Sequence, residues 1–288
     1  MGNREGGIMT APPIREIAGR FGLRLVGRSW RGTCPRCAYP DGAVLRPGCE
    51  GSQPTIWCAA CGENFLADDT LRPLPSSKHP PDQQALTAKV KRTWDGAGPC
   101  AGTPAERYLG QRGLPHLIAS PALRFREDCS HPEQRGRFLA LVASVVDFAG
   151  RLIAVHRTYI TRDGRKADVN PVRASLGSIR GGAVRLADPE DGKRLVIGEG
   201  IESSTSCGLL TDQPAWAAIA AGNLGWRLVL PTDIKMILVA ADRDRPGVHA
   251  AEAAAERWRA EERDVLIASP DKLGVDFNDL LLAQRGQQ

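Results

Sequence analysis

Three acids stand where a folded chain can gather them. In Leu195-Val-Ile-Gly-Glu199-Gly200 a carboxylate directly follows an apolar run, and Met236-Ile-Leu-Val-Ala-Ala-Asp242-Arg-Asp244 repeats the pattern about forty residues later. In an open α/β sheet, ligands bind outside the carboxyl ends of the strands, so Glu199, Asp242 and Asp244 can meet at one site. Close carboxylates repel one another unless a cation lies among them, and hard oxygen donors select magnesium or manganese over zinc. Along an extended Asp242-Arg243-Asp244 the two acids point one way and Arg243 the other. Gly200 permits a sharp turn and the close approach of a phosphate.

A second chemistry lies near the N-terminus. Cys34-Pro-Arg-Cys37 and Cys58-Ala-Ala-Cys61 form a C-x2-C-x20-C-x2-C pattern, the spacing of a closed tetrahedral zinc site made of two knuckles. Cys49, between them, is the one rival ligand, while the isolated Cys100, Cys129 and Cys207 read as small buried apolar residues. Trp30, Trp57, Arg31 and Arg36 around the knuckles suit stacking on, and phosphate contact with, a single-stranded nucleic acid. Packing of a very small core accounts for the tryptophans equally well.

The elements that must carry these residues can be read in outline. The chain has 288 residues, about twice the roughly 150 of a typical domain, so two or three units are expected. The Pro- and Ser-rich stretch Arg72–Asp82 is the best linker. Helices are expected over Ile14–Phe21, Gln84–Trp94, from Thr103-Pro-Ala-Glu106 toward Gly113 by a capping box, and over Val248–Arg263. Phe138–Phe148 and Arg151–Thr161 read as an antiparallel meander. Beyond Arg194, strands at Leu195–Gly198, Ala215–Ala220, Met236–Ala241 and Val265–Ala268 alternate with helices, as in an α/β unit with a largely parallel sheet. The fold class expected is therefore α/β, or α+β for the whole chain. Its parts are a zinc-ribbon domain over 1–75, linker and helix over 76–98, a basic β-rich subdomain over 99–190 and a metal-binding domain over 191–288.

Charge follows this division. Residues 1–98 carry a net +4, residues 99–190 a net +5 and residues 191–288 a net −4, a polyanion grip beside a cation site. The longest apolar run, Phe138–Val146 with one Ser inside, is too short to span a bilayer. With no secretory signal in view, a cytoplasmic, reducing compartment is expected and disulfides are not.

The acidic region resembles the Toprim domain of bacterial-type primases, topoisomerases and some nucleases. The residues that carry the resemblance are Val-Ile-Gly-Glu199-Gly200, Ala-Asp242-Arg-Asp244-Arg-Pro-Gly247 and Val-Asp276-Phe-Asn278-Asp279-Leu, in the family's order over residues 193 to 283. Upstream, Leu123-Arg-Phe-Arg126, Phe138-Leu-Ala-Leu-Val-Ala, Asp147-Phe-Ala-Gly150-Arg-Leu-Ile, Val155-His-Arg157-Thr-Tyr and Lys166-Ala look like the basic subdomain of phage- and plasmid-borne primases. A four-cysteine ribbon, then a basic segment, then Toprim, is the order found in bacterial-type DNA primases. One departure is plain: the family's further acid stands four residues after the first Glu, whereas here Ser203 is at that position and the acid is Glu202. For Glu202 a direct metal role and capping of the following helix both stand open.

The resemblance implies template-directed synthesis of short primers on single-stranded DNA from nucleoside triphosphates, by metal-dependent nucleotidyl transfer. Glu199, Asp242 and Asp244 would be catalytic and would hold magnesium or manganese, with Asp276 and Asn278 as a further pair. Arg137, Arg157 and Lys166 would contact template or triphosphate, Arg36 and Trp57 the template, and His156 reads as a strand residue with a satisfied hydrogen bond. No G-x-x-x-x-G-K-[ST] motif occurs in the chain, so the chain would either work alone or recruit a separate replicative helicase. The alternatives are a Toprim nuclease using the same metals and a non-catalytic single-stranded-DNA-binding replication protein.

Overall fold

Short runs of alternating hydrophobicity build the N-terminal unit. The computed structural model describes residues 14–26, 29–35, 43–46, 54–58, 64–66, 83–190 and 194–286, and the chain divides into two compact units, Met1–Pro80 and Pro81–Gln288. The linker-like stretch Arg72–Asp82 lies outside the described residues, as do Arg36, Cys37, Cys49 and Cys61.

In the first unit, helix α1 (Ile14–Arg20) precedes strands β1 (Arg24–Val26), β2 (Ser29–Gly32), β3 (Ala43–Arg46), β4 (Thr55–Cys58) and β5 (Asn64–Leu66). They form an antiparallel sheet in sequence order. Leu45, Ile56 and Phe65 are buried in it, as the period-two alternation of a one-sided strand requires. The register pairs Gly32 with Ala43 and Ala43 with Cys58. The exit of β2, leading to Cys34, and the end of β4 at Cys58 therefore share one end of the sheet, and both cysteines are buried.

The second unit opens with α2 (Gln83–Asp95) and α3 (Pro104–Gln111). Thr103 caps α3 by accepting from the Ala105 N–H at 3.2 Å, and Pro104 occupies the first turn, where a missing N–H costs nothing. A 3-10 turn, Pro115–Ala119, leads into β6 (Leu123–Ser130), β7 (Arg137–Val146), β8 (Leu152–Tyr159) and β9 (Arg173–Gly177), an antiparallel sheet in that order. The expected meander is β7 and β8.

After β10 (Val184–Arg185) come β11 (Leu195–Gly198), α4 (Ile201–Thr211), β12 (Ala215–Ala217), α5 (Ala221–Trp226), β13 (Met236–Ala240), α6 (Arg245–Ala260), β14 (Asp264–Ala268) and α7 (Phe277–Gly286). The sheet order is β10-β12-β11-β13-β14, parallel except for the β10 edge. All four residues of β11 are buried, as a central parallel strand covered on both faces must be. One apolar cluster, including Tyr108, Leu109, Leu141, Val145, Ala217, Ile201 and Leu281, joins the two sheets of this unit into a single core.

Candidate active site

Close packing at the end of β11 fixes the first acid. A Cβ on Gly198 would meet Ser204 Oγ at 2.7 Å and the Ala240 carbonyl at 3.1 Å, so only glycine lets β11 lie this near α4 and β13. Pairing continues past the strands: Ala218 N–H donates to Gly198 O at 2.9 Å and Ile219 N–H to Glu199 O at 2.7 Å. Ile219 holds this position at φ 71°, a left-handed conformation that strains a β-branched residue. Gly200, by contrast, has φ −93° and ψ 153°, extended backbone open to any residue. The special turn expected there does not occur; what glycine supplies is space toward the cleft.

The second acidic element is held by α6. Asp244 is the helix cap, accepting the Gly247 N–H at 2.7 Å, and a Cβ on Gly247 would lie 2.6 Å from the Asp242 carbonyl. The helix starts at Arg245, three residues before the expected Val248, because an aspartate cap followed by Pro246 in the first turn makes a complete N-terminus. Arg243 points away, donating to Pro270 O at 2.8 Å. Asp276 and Asp279 close a reciprocal cap on α7, each side chain accepting the other's backbone N–H at 2.9 and 3.1 Å.

Glu199, Asp242, Asp276 and Asn278 line a cleft of about 430 Å³ together with Arg112, His156, Lys166 and Arg173. Asp244 is not among the lining residues, but its charge is felt. Burial, then Asp242, then Asp244, pushes the Glu199 carboxyl up to about 7; burial, Asp244 and Asp276 push Asp242 up as well. Lys166 is held below its usual range by burial and by Arg173. Burial drives His156 down to about 4, and its ring meets the Ser175 hydroxyl at 3.1 Å.

Among the described residues, no three His, Cys, Asp or Glu side chains stand close enough to enclose a metal ion. The donor chemistry nevertheless fits a hard cation. Asp242 Oδ1 and Asn278 Oδ1 are buried without hydrogen-bond partners, an arrangement that costs energy unless something binds there. Magnesium is commonly held by one or two carboxylates, with water and substrate phosphates completing its shell, and a preformed protein cage is not needed.

The remaining residues singled out by sequence fall elsewhere. Arg157 is 4% exposed, and its guanidinium is spent on the carbonyls of Ser130, Ala174 and Ser175 at 2.8–3.3 Å. That contradicts a nucleic-acid contact and makes it a tie between strands. Arg137 lies in a separate hollow with Lys89, Arg92 and Arg126 that shares no residue with the acidic cleft, which removes it from triphosphate contact. Trp57 has the Arg46 guanidinium 4.7 Å over its ring, so one of its faces is already covered. Cys100, Cys129 and Cys207 are buried, and burial raises all three thiols.

Glu202 does more than meet its own N–H in the first turn of α4. It pairs with Arg173 at 3.0 Å and accepts the Tyr108 hydroxyl; burial alone would raise its carboxyl, but Arg173 and Tyr108 hold it below the usual range. Sequence gave no signal for this group, since Tyr108 and Glu202 are 94 residues apart.

Comparison with known proteins accords with this architecture. Residues 84–186 match a domain of unknown function (DUF7146), and no curated protein matches the chain. The zinc-binding and RNA polymerase domains of the Aquifex aeolicus primase are similar with a TM-score of 0.52 at 15% identity, over 94% of this chain and 79% of that one. The primase fragment of the bacteriophage T7 primase-helicase gives 0.45 at 16% identity, over 90% and 96%. Residues 194–287 match the Toprim family, and this part of the chain, with its acids at the carboxyl ends of a mainly parallel sheet, is a Toprim domain.

Proposed function

We propose that the protein is a DNA primase that builds short primers on single-stranded DNA by nucleotidyl transfer. The observation that carries the reading is the cleft itself, whose lining brings Glu199, Asp242 and Asp276 together with Arg112, Lys166 and Arg173. A nucleoside triphosphate needs both kinds of group: carboxylates to hold the cations that accompany its phosphates, and fixed cations to neutralise the charge left over.

Glu199 and Asp242 would hold magnesium or manganese, with the Asn278 amide oxygen and Asp276 beside them. When bound, such an ion neutralises developing charge and makes a hydroxyl a better nucleophile. Glu199, with its carboxyl raised to about 7, is able to take up a proton at neutral pH in the empty cleft. Asp244 acts through its charge and through the helix start that holds Asp242. Lys166 and Arg112 orient the phosphates. Arg137, with Lys89, Arg92 and Arg126, offers a basic hollow for the template backbone.

In the N-terminal unit, Cys34, Cys37, Cys58 and Cys61 would hold one structural zinc. The shared sheet end of Cys34 and Cys58 supports this, and the ribbon, with Arg36 and Trp57, would meet the template. A separate replicative helicase would supply unwound DNA.

The test is incubation of the protein with single-stranded DNA, labelled nucleoside triphosphates and magnesium or manganese, scored for extension and for cleavage. Extension that is lost in Asp242→Asn, with DNA binding retained, is the expected result. Cleavage without extension, lost in the same variant, would transfer the site to a nuclease.

A further inference from the structure

One carboxylate of the cleft is committed before any ligand arrives. Glu202 stands three residues beyond Glu199, yet its Oε1 takes both Arg173 Nη2 at 3.0 Å and the Tyr108 hydroxyl. The three residues come from β9, α3 and α4, so the pair is built by the packing of the two sheets and not by local sequence. The exposure is lopsided: the Glu202 side chain is 11% exposed and that of Arg173 39%. The guanidinium is therefore anchored on its inner side and open on its outer side, toward the cleft it lines. A guanidinium carries five N–H donors in a rigid plane, so fixing one edge on a carboxylate aims the rest. What they face is the space in front of Glu199 and Asp242, whose charges Arg173 also moderates.

Resting on the primase reading above, we propose that Glu202 and Tyr108 are positioning residues that aim Arg173 at the phosphates of the incoming nucleoside triphosphate, and that Glu202 is not a metal ligand. Oε1 already serves a cation and a hydroxyl, and a metal ion drawn to the same carboxylate would have to share it with the Arg173 guanidinium, whose positive charge repels it. Tyr108 adds direction: its hydroxyl fixes which way the carboxylate faces, and with it the plane of the guanidinium.

The experiment uses the full chain and two probes, ATP and inorganic tripolyphosphate, titrated in magnesium by calorimetry, beside primer synthesis. Arg173→Lys should weaken both probes by about tenfold, because an ammonium keeps the charge but loses the planar fork. Glu202→Gln and Tyr108→Phe should weaken both probes by about threefold to tenfold, in the range of a lost hydrogen-bond partner. Both should raise KM for the triphosphate with kcat nearly unchanged and leave the magnesium concentration for half-maximal synthesis where it was; Glu199→Gln should move it. Glu202→Gln added to Arg173→Lys should cost no more than Arg173→Lys alone, the non-additivity of residues acting through one another.

A shifted magnesium requirement in Glu202→Gln, additive losses, or wild-type binding by Arg173→Lys would each overturn the proposal. Should Glu202→Gln fail to fold, Tyr108→Phe, which removes a hydroxyl and no charge, carries the same expectation. A wild-type chain that binds both probes but makes no primer would overturn the polymerase reading while the affinities still decide the role of Arg173; one that binds neither would overturn the proposal itself.

Discussion

Glu199 and His156 face the same cleft and titrate in opposite senses. Glu199 goes from an ordinary 4.5 to about 7 on folding, so between those values the folded chain carries the extra proton and stability falls as pH rises. His156 goes from 6.5 to about 4, so there the unfolded chain carries the extra proton and stability rises with pH. Each effect is worth about 3 kcal/mol at 1.36 kcal/mol per pKa unit, and the two windows overlap from 4.5 to 6.5. Urea unfolding of the metal-free protein across that range should thus show these two residues nearly cancelling. Glu199→Gln should make stability climb with pH, and His156→Gln should make it fall; parallel slopes in the two variants would refute the assignment. Asp244 has a separate signature. Asn is as good a helix cap as Asp, so Asp244→Asn should leave stability nearly unchanged while Asp244→Ala costs about 1 kcal/mol, measured by thermal unfolding.

At the scale of elements, glycine substitutions report on how the acids are held. Gly247→Ala places a methyl against the Asp242 carbonyl at 2.6 Å, and it should cost about 1–3 kcal/mol as overpacking does, with a loss of synthesis larger than the loss of stability explains. Gly110→Ala, on an exposed turn of α3 with nothing within 4 Å of the added carbon, should instead gain about 0.5–1 kcal/mol. The elements that were legible in the sequence are those with one dominant signal: β11 coincides with the apolar run Leu195–Gly198, and the Thr103 cap opens α3 where its capping box does. Helix α4 was expected only as an element following the first acid, without bounds, because Ile201–Gly208 is buried on every side and so has no periodicity. It is also rich in Ser and Thr, whose hydroxyls are satisfied by carbonyls of the preceding turn, as in Ser204 to Gly200 O at 2.6 Å and Thr205 to Ile201 O at 2.8 Å. Strand β6 was missed for a different reason: it is the edge of its sheet, and its charged residues mask the alternation. The acids of the cleft could be read because each ends a strand or starts a helix. Of its basic residues Lys166 could be read and Arg112 and Arg173 could not, since they come to the cleft only through packing of segments distant in sequence.

For the whole molecule, the two units invite different measurements. The N-terminal unit has strands of three or four residues and, among the described residues, few buried side chains, the circumstance in which small folds depend on a bound metal. One zinc per chain is expected by elemental analysis, and it should be lost when Cys34→Ser is combined with Cys58→Ser; a metal content unchanged by that double substitution would dismiss the ribbon. The larger unit is closed by its last helix. Asn278 of α7 donates to Arg112 O at 2.7 Å and to Ser206 Oγ at 3.0 Å, and Arg285 donates to Gly113 O, contacts 166 and 172 residues apart along the chain. Such long-range pairings form late, because the loop they close must first be ordered. During synthesis on the ribosome, residues 112 and 113 emerge long before their partners exist, so the nascent chain carries an unfinished cleft until α7 has cleared the exit tunnel. A polypeptide stalled before Phe277 would hold the strands that carry Glu199 and Asp242 but lack Asn278 and the hydrogen bonds from α7 to Arg112 and Gly113.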